Sequence, residues 1–206
     1  MAMEETLRER KKRQTRDLLI RTAVRLFAEQ GFEETTGAQI AAAAEVATKT
    51  FFNYFPAKED VLFAHAEQYY DLALKIIADR GPQDTPAQVL RRAVDEVLAD
   101  YLTGGPWEKD PLLREVYSRA LATVPTVQAK ALHVMFDAQR RIAAALVRAF
   151  PGRLDPVSAA AATGALMGAV QAAGLASLEL YGEEVREHVT STGRAVDIAL
   201  RGVQSV

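Results

Sequence analysis

The chain contains no cysteine. Disulfides, thiolate metal sites and cysteine nucleophiles are therefore excluded. Histidine is scarce as well, with only His65, His133 and His188. They fall in three separate helical stretches, and none has a metal-binding spacing such as HExxH. There is no G-x-S-x-G elbow and no glycine-rich phosphate loop. The adjacent acids Glu33–Glu34, Glu59–Asp60 and Glu183–Glu184 point apart when helical, so they read as solvated faces. No enzymatic activity, metal or cofactor is expected. The charged start, MAMEETLRERKK, has no apolar run behind it, so no secretion is expected and a cytoplasmic location is. Alternating strand-like stretches, internal repeats and low-complexity linkers are also missing. What remains is 49% apolar and 25% charged over 206 residues, enough for a soluble globular core.

Charge is unevenly spread. Between Arg8 and Arg25 stand eight basic residues against Glu9 and Asp17, a local +6 in a chain whose net charge is −2. The remainder therefore carries about −8. A basic arm on a mildly acidic body is one footprint of a nucleic-acid binder; read alone, the same run is a solvated helix end.

Apolar spacing predicts helices throughout, and hence an all-α fold. The first should run from Thr6 or Arg10 to Gln30, burying Leu19, Ala23, Leu26 and Phe27 and stopping at Gly31. Thr36 followed by Gln39 has the form of a capping box and predicts a helix starting at Gly37. A two-turn helix over 48–54 follows, with Phe51, Phe52 and Phe55 on its inner side. Thr48, Lys49, Thr50, Asn53 and Tyr54 are left for its outer side. Pro56 breaks the chain. Amphipathic helices are then predicted over about 58–80, 86–103, 110–122, 126–149, 156–181 and 183–203, punctuated by Gly and Pro.

Two short helices across a tight turn, the second rich in Thr, Lys, Asn and Tyr, have the layout of a DNA-reading helix-turn-helix. Asn can pair with adenine through two hydrogen bonds, while Thr, Lys and Tyr can donate to phosphates or base edges. An aromatic helix pair in an ordinary core has the same periodicity. The residues themselves go further. Gly31–Phe32, Thr35–Thr36, Ile40–Ala41, Val46, Thr50–Phe51, Asn53–Tyr54–Phe55–Pro56 and Lys58–Glu59–Asp60 closely resemble, in register, the TetR family of bacterial transcriptional regulators. The resemblance covers about residues 13–63.

That resemblance implies a three-helix DNA-binding domain over 1–57 with Phe51 and Phe55 in its core, and a larger helical domain over 58–206 for effector binding and dimerisation. By position, Thr36 and Lys58 would contact phosphates of a double-stranded operator. Thr48, Lys49, Thr50, Asn53 and Tyr54 would face the DNA, and the arm from Arg10 to Arg16 would reach an adjacent groove or the backbone. The implied function is a ligand-responsive repressor released from a palindromic operator. The alternatives are an effector-independent DNA-binding regulator and a helical ligand-binding enzyme with a vestigial DNA module. Three positions depart from the family pattern. Glu45 stands where a glycine is common, a cost of about 1 kcal/mol if φ is positive. Ala47 and Ala57 replace the usual serine caps, about 1 kcal/mol each.

The stretch 156–181 is long enough to span a bilayer. Its Ala- and Gly-rich composition, interrupted by Ser158, Thr163, Gln171 and Ser177, reads instead as a packing helix. Gly164, Gly168 and Ala172 recur every four residues and leave one face nearly bare backbone. In TetR-like proteins the last two helices form a four-helix dimer interface, so 156–181 and 183–203 are the expected homodimer surface, an intramolecular core helix being the alternative. Phe63, Tyr69, Tyr70, Trp107, Tyr117, Met135, Phe136, Met167 and Gln171 are candidate walls of an apolar effector pocket, or simply core. Arg114–Glu115 and Pro125–Thr126–Val127–Gln128 resemble regulators of acyl-CoA-like ligands, so an acyl-CoA-like or other apolar effector is expected.

Overall fold

The computed structural model describes residues 6–103, 110–182 and 184–203. All regular elements among them are helical: α1 (Leu7–Gln30), α2 (Gly37–Ala43), α3 (Thr48–Tyr54), a 3-10 turn (Lys58–Val61), α4 (Ala66–Ala78), α5 (Pro86–Thr103), α6 (Pro111–Thr123), α7 (Pro125–Ala149), α8 (Pro156–Tyr181) and α9 (Val185–Val203). Chemistry visible in the sequence sets several of these ends. Thr6 and Thr36 each form a reciprocal capping box, with Glu9 and Gln39. The Asp155 carboxylate accepts the backbone N–H groups of Val157 and Ser158, with Pro156 in the first turn. Gly31, Gly152 and Gly182 follow α1, α7 and α8 at positive φ.

Two compact units emerge. The first joins Met1–Ala64 to Pro111–Lys130, and the second joins His65–Asp110 to Ala131–Val206. The first unit thus extends past residue 57 and takes in α6. Its buried residues include Leu19, Ala23 and Phe27 of α1, Ile40 and Ala41 of α2, Phe51 and Phe55 around α3, and Leu113 and Val116 of α6. The second is built on Ile77, Val89, Leu90, Leu146, Phe150, Leu166, Val196 and Leu200.

One predicted element is corrected. The helix expected over 58–80 is split into the 3-10 turn and α4. Through this stretch the backbone bonds close i to i−3: Phe63 N–H donates to Asp60 and Ala64 N–H to Val61. The Asp60 carboxylate accepts Ala57 N–H at 2.8 Å and pairs with Lys130. The Ala64 carbonyl, which an α-helix would use at residue 68, accepts instead from Arg16 at 2.7 Å. Side chains have taken the groups that a continuous α-helix requires.

α8 is long and apolar enough to cross a membrane by length and composition, yet only 22% of its most apolar window is buried within the protomer. It packs along α9. Its other side exposes Val157, Ala161, Ala165, Ala172, Leu175 and Leu180. A side chain added at Gly164 or Gly168 would meet nothing within 4 Å.

Candidate nucleic-acid interface

Close packing between α2 and α3 creates the site. Phe51 is fully buried, with Phe55 beside it at a ring-centroid distance of 5.9 Å. A Cβ on Gly37 would stand 2.9 Å from the Phe51 ring and 3.0 Å from that of Phe52. Gly37 is therefore needed for close approach, a requirement hidden behind its place at the start of a helix. Between the two helices Glu45 adopts φ 56°, the left-handed conformation that glycine accepts at least cost.

With Phe51 and Phe55 inward, α3 turns Thr48, Lys49 and Asn53 fully outward, and Thr50 and Tyr54 partly so. Ala47 occupies the cap position and supplies no side-chain hydrogen bond. Thr48 does not replace it, so its hydroxyl stays available to a ligand. The Thr36 hydroxyl is exposed but engaged in its capping box, accepting Gln39 N–H at 3.2 Å and donating to the Gln39 side chain at 2.9 Å. Phe52 is corrected: it is 48% exposed and shares the outer surface instead of the core.

Lys58 is also corrected. Its ammonium donates to the carbonyls of Phe32, Glu33 and Thr35 at 2.6, 2.9 and 2.9 Å, and lies 4.5 Å from the centre of the Phe32 ring. An ammonium has three protons, and all three are committed to the α1–α2 connection. Desolvation lowers its pKa, against the attraction of Glu59, Glu33 and Glu34. Lys58 fastens the chain after α3 to the loop before α2 and has no proton left over for a phosphate. Arg16 behaves similarly. Besides bonding Ala64, its guanidinium lies 5.3 Å from the centre of the Phe55 ring, and burial lowers its pKa, against the attraction of Asp17. The arm facing solvent is therefore Arg8 to Arg13, with Arg16 excluded.

A third interior tie is Thr35, fully buried, whose hydroxyl donates to the Gly31 carbonyl at 2.7 Å and accepts from Gln30 at 3.1 Å. Neither Gly37 nor the inward direction of Lys58 and Arg16 was readable from residue type.

The candidate effector residues are divided. Phe63 and Tyr117 meet edge to face at 5.5 Å within the first unit. Tyr69, Tyr70, Met135, Met167 and Gln171 are half-buried in the second, where Met167 packs on the core. Burial raises the Tyr70 pKa to about 12, helped by Glu67 and Asp137 against Arg141. Phe136 is corrected: at 60% exposure it cannot wall an enclosed pocket in this protomer. Trp107 lies outside the described residues.

A family model described as "Bacterial regulatory proteins, tetR family" matches residues 19–65, the segment that carries the second half of α1, all of α2 and α3 and the Lys58 tie. The regulator TcmR of Streptomyces glaucescens is 35% identical over 137 residues, 66% of this chain and 61% of that protein. HbdR of Aromatoleum sp. (strain CIB) is 39% identical over 74 residues, 36% of this chain and 29% of that one. The chain thus spans less than two thirds of the curated relatives it matches. Among solved structures, the FadR repressor of Thermus thermophilus in complex with lauroyl-CoA aligns at TM-score 0.57 and 24% identity over 91% of this chain and 94% of that one. A SmeT–triclosan complex aligns at 0.60 and 22% over 92% and 91%. At those identities the likeness is one of fold, extending along both units. Taken with the geometry of α2 and α3, residues 19–65 thus match the tetR family of bacterial regulatory proteins, and the chain is similar in fold to a TetR-family repressor over most of its length.

Proposed function

We propose that the protein is a homodimeric transcriptional repressor that leaves a near-palindromic operator when a small apolar effector binds. Residues 1–57 would read DNA, and 58–206 would bind the effector and hold the dimer through α8 and α9. The observation that carries this reading is α3 itself: Phe51 anchors it while Thr48, Lys49 and Asn53 face solvent together. A recognition helix in the major groove needs that division between anchor and reading face. Two copies related by a two-fold axis would meet successive half-sites one helical turn apart.

An effector pocket in the second unit is supported by the ligand-bound relatives, one with lauroyl-CoA and one with triclosan. Both ligands have a large apolar part, in keeping with the half-buried Tyr69, Met135 and Met167. Release requires the effector to prefer the DNA-free arrangement; a ligand with equal affinity for both shifts nothing. A differential of about 1–3 kcal/mol gives a 5- to 150-fold change in operator affinity.

The test is a footprint of the full chain on the DNA flanking its own gene, with and without lauroyl-CoA or triclosan. Protection of a near-palindrome that Asn53→Ala weakens at least tenfold is the expected result. Wild-type protection by Asn53→Ala would remove Asn53 from the reading face, and no protection of any near-palindrome would overturn the operator proposal.

A further inference from the structure

We propose a second ligand site in the larger unit: a cleft of 1120 Å³ between the start of α5, the α7–α8 turn and the last turns of α9, shaped to hold a small organic dianion with an apolar body. Its size lies just above the range of about 300–1,000 Å³ usual for small-molecule pockets, more than a lone inorganic ion needs. Arg91, Arg92, Arg153, Arg194 and Arg201 line it, against the carboxylates of Asp95, Glu96 and Asp197. Asp84, just outside the lining, pairs with Arg92, so the positive charge open to a ligand is that of Arg153, Arg194 and Arg201, enough guanidinium to hold a dianion.

The arginines are not equivalent. Arg91 bridges Asp95 at 2.9 Å and also Asp197 across to α9, while Arg92 pairs with Asp84 at 2.7 Å. Those two are engaged in holding the walls. Arg153, Arg194 and Arg201 have no carboxylate partner among the described residues. Arg153 is steadied by the Phe150 ring, 5.6 Å from its guanidinium. Arg194, Asp197 and Arg201 fall at i, i+3 and i+7 on one face of α9, and the Asp197–Arg91 bridge turns that face toward α5. Seven residues of helix separate Arg194 from Arg201 by about 10.5 Å of rise, room for two oxyanion groups or one extended ligand. Between the charges the cleft meets Leu154, Ala162 and Leu200, all buried, an apolar floor for the ligand body. Guanidinium forks can take either carboxylate or phosphate.

The test is isothermal titration calorimetry on the full chain at low ionic strength with four probes: adipate, phenyl phosphate, hexanoate and hexane-1,6-diol. Adipate, phenyl phosphate or both should bind at least tenfold more tightly than hexanoate, and the diol should give no binding heat; the stronger dianion identifies the oxyanion class. R194A/R201A should lower dianion affinity at least tenfold, and so should R153A, which acts from a different element. A control removing the same charge elsewhere, R140A/R148A, at two exposed positions outside the cleft, should bind like the wild type. Circular dichroism melts of all variants should superpose, since these side chains are exposed. No dianion binding, equal affinity for the monoanion, or undiminished binding by folded R194A/R201A and R153A would overturn the site.

Discussion

The two units bury their apolar residues in different ways. In the first, one long helix and two short ones close on Phe27, Phe51 and Phe55, and the connections are fastened by Thr35, Lys58 and Arg16. The exposed large apolar side chains of that unit, Leu7, Leu18, Phe52 and Leu112, are scattered and form no continuous stripe along one helix. The second unit has a core of its own, but α8 keeps an apolar stripe outside it, from Val157 at 77% exposure to Leu180 at 72%. Two hydroxyls of that helix, on Thr163 and Ser177, are buried without a hydrogen-bond partner. The contrast separates a unit whose apolar residues are mostly interior from one that leaves an apolar helix face open, a face we propose is covered by a second copy of α8 and α9.

The contrast can be broken most forcefully at Gly168. Replacing it with Phe should abolish association while leaving the protomer folded, because nothing in the protomer stands within 4 Å of the added Cβ. Sedimentation should show monomer and circular dichroism the same helicity; an intact dimer would move the interface elsewhere. Phe51→Ala should act inside the first unit instead, costing about 3–5 kcal/mol by chemical denaturation whether or not the chain is dimeric. Lys58→Ala should cost about 1–3 kcal/mol by leaving three carbonyls without their donor. Because the ammonium is already committed, the salt dependence of DNA binding should keep its slope; a fall of about one would mean that Lys58 contacts a phosphate after all. The smallest effect sharpens the comparison by stabilising. Glu45→Gly should raise the stability of the first unit by up to about 1 kcal/mol, relieving the left-handed backbone at some entropic cost in the unfolded chain. A melt no higher than wild type would show that the turn relaxes without strain.

Legibility followed the same division. The Thr6 and Thr36 boxes and Gly31 placed α1 and the start of α2 closely, and Pro56 bounded α3, because those signals are local. The positive φ at Glu45 was readable as a risk, since only a few residue types occupy such turns cheaply. Phe52 was misplaced because adjacent aromatics on a two-turn helix cannot all face one way, and periodicity over seven residues is too short to choose. The break between Val61 and Ala66 was not visible, because the groups that interrupt it, Arg16 and Lys130, lie far away in sequence. The same holds for Lys58: a basic residue at a helix start suggests phosphate until its acceptors, more than twenty residues earlier, are seen. Phe136 of the second unit and Tyr117 of the first were grouped with Met167 by chemistry alone, and side-chain type carries no information on which side of a long helix meets a cavity.

The Lys58 knot also governs how this chain can vary in length. Its three acceptors lie within residues 32–35, so the connection between α1 and α2 has a fixed contour even though it carries no regular structure. One inserted residue there would draw at least one carbonyl out of reach of an ammonium that has no alternative partner. The connection from Asp79 to Thr85 is held by Asp84 to Gly81 and Arg92 and by the Arg80 guanidinium over the Phe150 ring, contacts made by the ends of side chains and not by three backbone carbonyls. Insertions should therefore be tolerated at 79–80 and rejected at 32–35, making a loop in the smaller unit more rigid in evolution than one in the larger.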